Sequence, residues 1–433
     1  MWSSPQLDLN SSSNLGLFPA AAIATLDKAQ NNKTASVATL AEHIEQPFSI
    51  FYMNVNANSN PCSDPPDSSQ QPLRSIIKSL FRENDVNQLI SKFKRFSADR
   101  NFRSKPEVYE IIIRRLTAAG RLDAVNDIIE HHKSYEEEIS HEGFAVRLIS
   151  LYGLAGMPER AAALFQELPA LGCPRTVFSF NAVLTAYTRS KVADRIAHLH
   201  KFLSSHDASI EPNRISYNIL INALCERDLL DDALNTLDLM EQREIKPDLV
   251  TFNTLLNAFY SKGLILKADE IWQRMTENGI QPDVRSFNAK IRAFAWEGKI
   301  LEAMEVLEEL RRVGLEPDTL TFNALIKGYC RQGNLEEAKR IHKQMGKKGC
   351  FPDRHTLREL IPKLCGGGEV DLALNICIKA IENGFVVDVG IVQVMIDELA
   401  KGSLYDKAKK LVKLAKSKNN RANLRMPLPC LAL

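Results

Sequence analysis

Hydrogen-bonding side chains recur in this sequence at a fixed interval. Asn218, Asn253, Asn288 and Asn323 are spaced by 35 residues, and each ends a similar string: EPNRISYN, KPDLVTFN, QPDVRSFN and EPDTLTFN. Asn181 holds the same column one unit earlier. A carboxamide both donates and accepts, so such a column suits contact with polar groups of a ligand. The competing reading is an N-terminal helix cap, with Asn accepting from free backbone N–H groups. Five Asn in one column speak against that, because Ser, Thr and Asp cap equally well. The sulfur and imidazole residues offer no comparable pattern. The eight cysteines include no CxxC, and the nine histidines show no metal-ligand spacing. His198 and His200 lie two apart, on different sides of a helix. Cys225, Cys330 and Cys365 share one repeat position and read as small apolar fillers.

Two further columns share the period: Gly263, Gly298, Gly333 and Gly368, and Ala233, Ala268, Ala303, Ala338, Ala373 and Ala408. Between them the apolar spacing is helical. In 249–283, Phe252, Leu255, Leu256 and Phe259 form one face of a first helix, and Ala268, Ile271, Trp272 and Met275 one face of a second. Gly263 suits a left-handed residue after the first helix, and Pro282 cannot continue the second. The Ala column lets two helix backbones approach closely. Units fall at 106–140, 142–176, 177–213, 214–248, 249–283, 284–318, 319–353, 354–388 and 389–423. No unit can bury its apolar face alone, so stacked units must share a core. The expected fold is all-α: a right-handed α-solenoid superhelix of 35-residue helix-turn-helix repeats. Residues 71–105 read as a degenerate helical cap, 106–423 as the array of about nine repeats, and 424–433 as a tail.

Composition removes some function classes. Net charge is +2 and no stretch of 18 apolar residues occurs, so no membrane partner is expected. Residues 1–70 are rich in Ser, Asn, Pro and Gln and read as disordered. They hold no Arg and several acids, unlike a mitochondrial presequence. Lys and Arg concentrate in 74–105 and 401–425, either as solvated helix faces or as phosphate contacts. CLAL at 430–433 matches a prenylation motif only through four residues.

The strings PDLVTFNTLLNAFYSKG and PDTLTFNALIKGYCRQGNLEEAKRIHKQM closely resemble the pentatricopeptide repeat family of plant organelles. The tetratricopeptide signature W-x2-L-G-x2-Y is absent. The resemblance covers residues 106 to about 415, and the even unit length is similar to the P subclass. The stretch KFKRFSADRNFRSKPEVYEIIIRRLTAAGRLDAV is similar to the entry region of short plant mitochondrial members. Some relatives carry a deaminase domain, but HEG at 141 is not H-x-E, so no deaminase is expected here.

In that family each unit reads one RNA base with its fifth and last residues. The resemblance thus implies the pairs Asn181 with Asn213, Asn218 with Asp248, Asn253 with Asp283, Asn288 with Asp318 and Asn323 with Asp353. It also implies that the apolar second residues Phe178, Ile215, Val250 and Leu320 sandwich bases, with Arg285 and His355 departing. A carboxylate only accepts, so it suits the ring N–H of uracil or guanine, while an amide can donate to cytosine or adenine. Asn as first member goes with pyrimidines in this family, so the implied reading is C or U, then four U. Glu110, Val146 and Arg358 replace the reading Asn at the array ends.

The expected function is that of a mitochondrial protein, with plastid second, that binds pyrimidine-rich single-stranded RNA. It would act in RNA stability, processing or translation as a monomer without catalysis or cofactor. The alternative is a structural subunit or factor of the mitochondrial ribosome, and a tetratricopeptide-like protein scaffold comes third.

Overall fold

The computed structural model describes residues 73–189, 210–384, 387–418 and 424, and every regular element among the described residues is helical. The chain divides into two compact units between Lys105 and Pro106. The expectations for 1–70, most of 424–433, and the second helix of 177–213 lie outside the described residues.

In the smaller unit, Leu73–Arg82 pairs with Val86–Phe96, and Arg100–Arg103 adds one turn. Asp85 and Asp99 cap the latter two, each accepting from backbone N–H groups. Phe93 meets Phe102 edge-on at 5.5 Å, which closes this small core. Arg103 donates to the carbonyls of Ser97 and Ala98, so this cation is engaged within its own unit.

In the larger unit the first helices are Arg214–Glu226, Leu249–Ser261, Val284–Trp296, Thr319–Gln332, Arg354–Gly366 and Val389–Lys401. Their second helices are Leu230–Gln242, Ile265–Glu277, Ile300–Arg312, Leu335–Lys347, Val370–Glu382 and Tyr405–Lys418. Each first helix packs on its own second helix and on the first helices before and after it. All six alanines of the Ala column are fully buried at these contacts. Phe252, Leu255, Leu256 and Phe259 are also fully buried, as their spacing predicts. Trp272 reaches across to Phe287 of the next unit at 5.1 Å, so the core runs on from unit to unit.

The early units depart from the simple pair. After Pro106–Ala118 and Leu122–Lys133, an extra turn at Glu136–Ile139 intervenes. Glu142–Leu154 pairs with Pro158–Glu167, which runs into a 3-10 turn at Leu168–Leu171 before Val177–Arg189 begins. Pro169 explains that change, because its missing N–H and its ring disfavour another α turn.

The filler reading of the cysteines fits Cys330 and Cys365, which are buried; Cys225 is partly so. Burial pushes the thiols of Cys225 and Cys330 up to about 12 and about 11, which keeps both neutral.

Both turns of a unit need a left-handed residue. Gly263, Gly298, Gly333 and Gly368 hold one such place, and Gly279, Gly314, Gly349 and Gly384 the other, all at positive φ. Unit 214–248 has no glycine at either: Asp228 takes φ 62° and Glu244 takes φ 58°. A Cβ there is strained by about 1–2 kcal/mol. Glu244→Gly should therefore raise stability by about 0.5–1 kcal/mol after the larger unfolded-state entropy of glycine is subtracted. A urea midpoint that fails to rise would show that the strain is relieved elsewhere.

Candidate nucleic-acid interface

A helix begins with N–H groups that have no partner within it. Here the last residue of each unit supplies one. Asn213, Asp248, Asp283 and Asp318 are N-caps of the following first helices, and each side chain accepts from the N–H three residues on. Those N–H donors belong to Ser216, Thr251, Ser286 and Thr321, at 2.9–3.1 Å. The same residues return the bond: their hydroxyls accept from the N–H of the cap residue, at 3.1 Å in each case. These are capping boxes with Ser or Thr in place of the usual Glu. The cap in this string is thus the residue after proline. The alternative considered for the Asn column, that Asn itself caps, is not what the chain does.

The Asn column instead ties each unit to the next. Asn218 donates from Nδ2 to Asp248 Oδ1 at 3.2 Å, Asn253 to Asp283 at 3.0 Å and Asn288 to Asp318 at 3.0 Å. Asn181 makes a longer contact with Asn213, 3.4 Å. The hydroxyl of the following unit then donates to the Asn carbonyl. Ser216 reaches Asn181 at 2.6 Å, Thr251 reaches Asn218 at 2.6 Å, Ser286 reaches Asn253 at 2.6 Å and Thr321 reaches Asn288 at 2.5 Å. One hydroxyl has one proton, and these short contacts take it. The assigned amide orientation is the one that satisfies both neighbours.

The hydroxyl column was missed by reading the sequence. Ser179, Ser216, Thr251, Ser286 and Thr321 are all fully buried, two residues before each Asn, and Thr356, two before Arg358, is fully buried as well. For all but Ser179, which follows Thr176, the signal was present as an acid or amide followed three residues later by Ser or Thr.

What remains for a ligand differs between units. Asp283 and Asp318 use Oδ1 for all these bonds, and Oδ2 has no hydrogen-bond partner among the described residues. The Oδ2 of Asp248 lies 3.5 Å from Arg214. Burial works against ionisation of Asp248, but the Thr251 N–H, the Asn218 amide and the Arg214 charge outweigh it and hold the carboxyl below its usual range. At Asn323 the pattern breaks. The Asp353 N–H donates to Asn323 Oδ1 at 3.3 Å, Lys327 stands 3.6 Å from Asp353, and Asn323 Nδ2 and the Thr356 hydroxyl are buried without partners.

Beside these pairs the second residues are open: Phe178 is 55% exposed, Ile215 41%, Val250 59% and Leu320 59%. Arg285 and His355, the two departures, are exposed as well. The apolar groups among these leave about half of their surface open at helix starts and can cover a flat ring.

Towards the ends the amide is gone. In unit 142–176 the Glu142 carboxylate accepts from the N–H groups of Thr176 and Ser179, at 2.9 and 3.2 Å, while Val146 holds the Asn place. In unit 354–388, Arg358 holds it and donates to Asp388, which also meets Arg354 at 3.2 Å. The basic terminal stretches are partly paired: Lys92 with Glu83, Lys401 with Glu398 and Lys407 with Asp371.

Ser286→Ala should cost about 1–3 kcal/mol, since it strips the Asn253 carbonyl of its buried donor and breaks a capping box. The same change in Thr254→Ala, a partly exposed hydroxyl bonded only to Val250 carbonyl, should cost far less. Equal losses in urea unfolding would refute the inter-unit link. A second expectation concerns acid. The Arg358 guanidinium, the Gly390 N–H and Arg354 pull Asp388 down to about 2. A carboxyl lowered on folding stabilises above its unfolded value of about 3.9 and loses that contribution as pH falls through its folded value. Asp388→Asn should thus flatten the acid dependence of stability between about pH 4 and 2, as followed by circular dichroism.

Family models match this part of the chain in tandem. One described as the PPR repeat family matches 212–261, 247–295, 282–331 and 317–366. A pentatricopeptide repeat domain matches 163–227 and a PPR repeat 147–173. Together they cover 147–366 of 433 residues. The chain is 43% identical over 172 residues to the small ribosomal subunit protein mS78 of Arabidopsis thaliana, which covers 40% of this chain and 43% of that protein. It is 38% identical to the small ribosomal subunit protein mS79 over the same shares of each chain. A mitochondrial pentatricopeptide repeat-containing protein of the same plant is 35% identical over 169 residues, 39% of this chain and 42% of that one. The matched stretch spans less than half the length of these relatives. Among solved structures, the pentatricopeptide repeat protein PPR10 from maize superposes with a TM-score of 0.45 at 18% identity, covering 81% of this chain and 59% of that one.

Proposed function

Because this chain belongs to the pentatricopeptide repeat family and resembles its plant mitochondrial members, we propose that it binds single-stranded RNA, one base to a unit, through its Asn and Asp pairs. The observation that carries the reading is the spare oxygen. Capping consumes Oδ1 of Asp283 and Asp318, and Oδ2 is left to accept a proton from outside. A uracil ring N–H supplies that proton, whereas the ring nitrogen of adenine or cytosine would face the carboxylate lone pair to lone pair. Asn218, Asn253 and Asn288 are held from both sides, so the second N–H of each has a fixed direction. Phe178, Ile215, Val250 and Leu320 are placed to stack on base faces.

The array would then read C or U at unit 177–213 and U at units 214–248 to 319–353. The sharpest choice belongs to Asp283 and Asp318, whose carboxylates have no basic neighbour on Oδ2. The protein acts without catalysis of its own, in the stability, processing or translation of mitochondrial transcripts. Double-stranded RNA binds poorly, because its pairing edges are occupied.

Relatives named as small ribosomal subunit proteins favour a second reading, in which the same array is seated on RNA of the mitochondrial small ribosomal subunit. Sedimentation at high salt distinguishes the two. A ribosomal component co-migrates with the small subunit, and a free RNA binder stays at the top of the gradient.

For the base reading, Asn253→Ser with Asp283→Asn should move the preference of that unit from U to A. Asn caps as well as Asp, so the helix start survives the second change. One wrong base should cost about 1–3 kcal/mol in binding. RNAs differing only at that base provide the measurement. Identical ranking of A and U by wild type and double variant would sink the reading.

A further inference from the structure

The unit that follows the last Asn and Asp pair keeps its carboxylate but fills it. Asp388 caps Val389–Lys401 by accepting from the Gly390 N–H through Oδ1, at 3.1 Å. Its Oδ2, the oxygen left over in Asp283 and Asp318, accepts from both Arg358 and Arg354. Arg358 sits at the fifth position, where Asn253 and Asn288 stand in their units. The Asn side chain is too short to reach past Oδ1, but an arginine reaches the outer oxygen. Ile391 occupies the place of Ser286 and Thr321, so no hydroxyl is present to orient an amide. Asp388 itself is held well below the usual carboxylate range, to about 2, first by Arg358.

Extending the base-reading proposal, on which this rests, we propose that Arg358 closes the reading slot of unit 354–388 and that Arg358 and Arg354 grip a backbone phosphate there instead. A uracil N–H would have to displace a charge-assisted bond between guanidinium and carboxylate, the stronger of the two. Two cations against one anion leave the cluster at net +1, and both guanidiniums are half exposed. Their remaining N–H groups form a fork suited to phosphate oxygens. The unit thus adds affinity without sequence choice, and base selection ends at Asp353. Arg214 is a partial version of the same device: it leans on Asp248 from the first position, as Arg354 leans on Asp388. In that unit Asn218 remains, so the slot stays open to a base.

The test uses the full chain and RNAs of the form CUUUUN, with N each of the four bases. Wild type should bind all four within about twofold. Arg358→Asn combined with Ile391→Thr rebuilds the amide, hydroxyl and carboxylate set, and should favour U at N by about tenfold. Arg354→Gln should leave the ranking unchanged and lower the slope of log affinity against log salt by about 0.7, one phosphate contact on a single strand. Discrimination at N by the wild type, no gain by the double variant, or an unchanged salt slope would each overturn the inference while leaving the U-run preference standing. Loss of preference for UUUU over AAAA in every protein would instead remove the base reading beneath it.

Discussion

Each first helix of the array starts with N–H groups that need an acceptor, and the residue before the helix must provide it. That demand recurs once per unit, at the same rim, for reasons that concern only the fold. It places a carboxylate or amide at every junction from Asn213 to Asp388. A cap needs one oxygen, and Asp has two. The surplus oxygen is what these junctions can offer a ligand, so the proposed recognition is built on the remainder of a structural requirement.

The requirement also limits which chemistries the rim can offer. Asn and Asp cap with similar strength, Ser and Thr follow closely, and apolar residues cap badly. The junction residues of this chain are Thr176, Asn213 and then Asp from 248 on. Exchange between Asn and Asp switches an acceptor for a donor at little cost to the helix. Under the proposed reading, base choice can therefore change while the fold is left alone. The Asn column is constrained differently. Asn253 must donate to Asp283 and accept from Ser286 at once, which a carboxylate of the same reach cannot do. Its side chain is locked before any ligand arrives, and the ordering cost of that group is met by folding rather than by binding.

Much of this was legible in the sequence because a solenoid repeats its constraints. The Ala column announced close helix contacts, and those alanines are fully buried at them. The Gly column announced left-handed turns, and Gly263 to Gly368 adopt them. Apolar periodicity put Phe252 to Phe259 and Ala268 to Met275 on two successive helices, and each stretch lies within one. The hydroxyls were not legible by that route, since Ser286 and Thr321 belong to neither the apolar face nor the polar surface. They are buried only because a neighbouring unit supplies their partner, and such a partner has no signature in local spacing. The occupation of Asp388 by Arg358 was hidden for a related reason. Sequence showed that Arg358 replaces Asn, but not that its greater length carries it to the oxygen that Asn leaves free.

The array ends separate the two duties of the junction. At unit 142–176 the Asn place is Val146, yet the next helix is still capped, with Glu142 supplying a carboxylate from the first position. At unit 354–388 the Asn place is Arg358, and Asp388 still caps. Capping persists where the amide is lost, as expected if an uncapped helix costs every unit about 1 kcal/mol while a missing reader costs the fold nothing. The reverse arrangement, an Asn without a cap behind it, is not found among the described units, and it would leave the amide with nothing to hold it. The order of dependence runs one way: the helix start fixes the carboxylate, the carboxylate and the neighbouring hydroxyl fix the amide, and only then is there a surface with a defined preference.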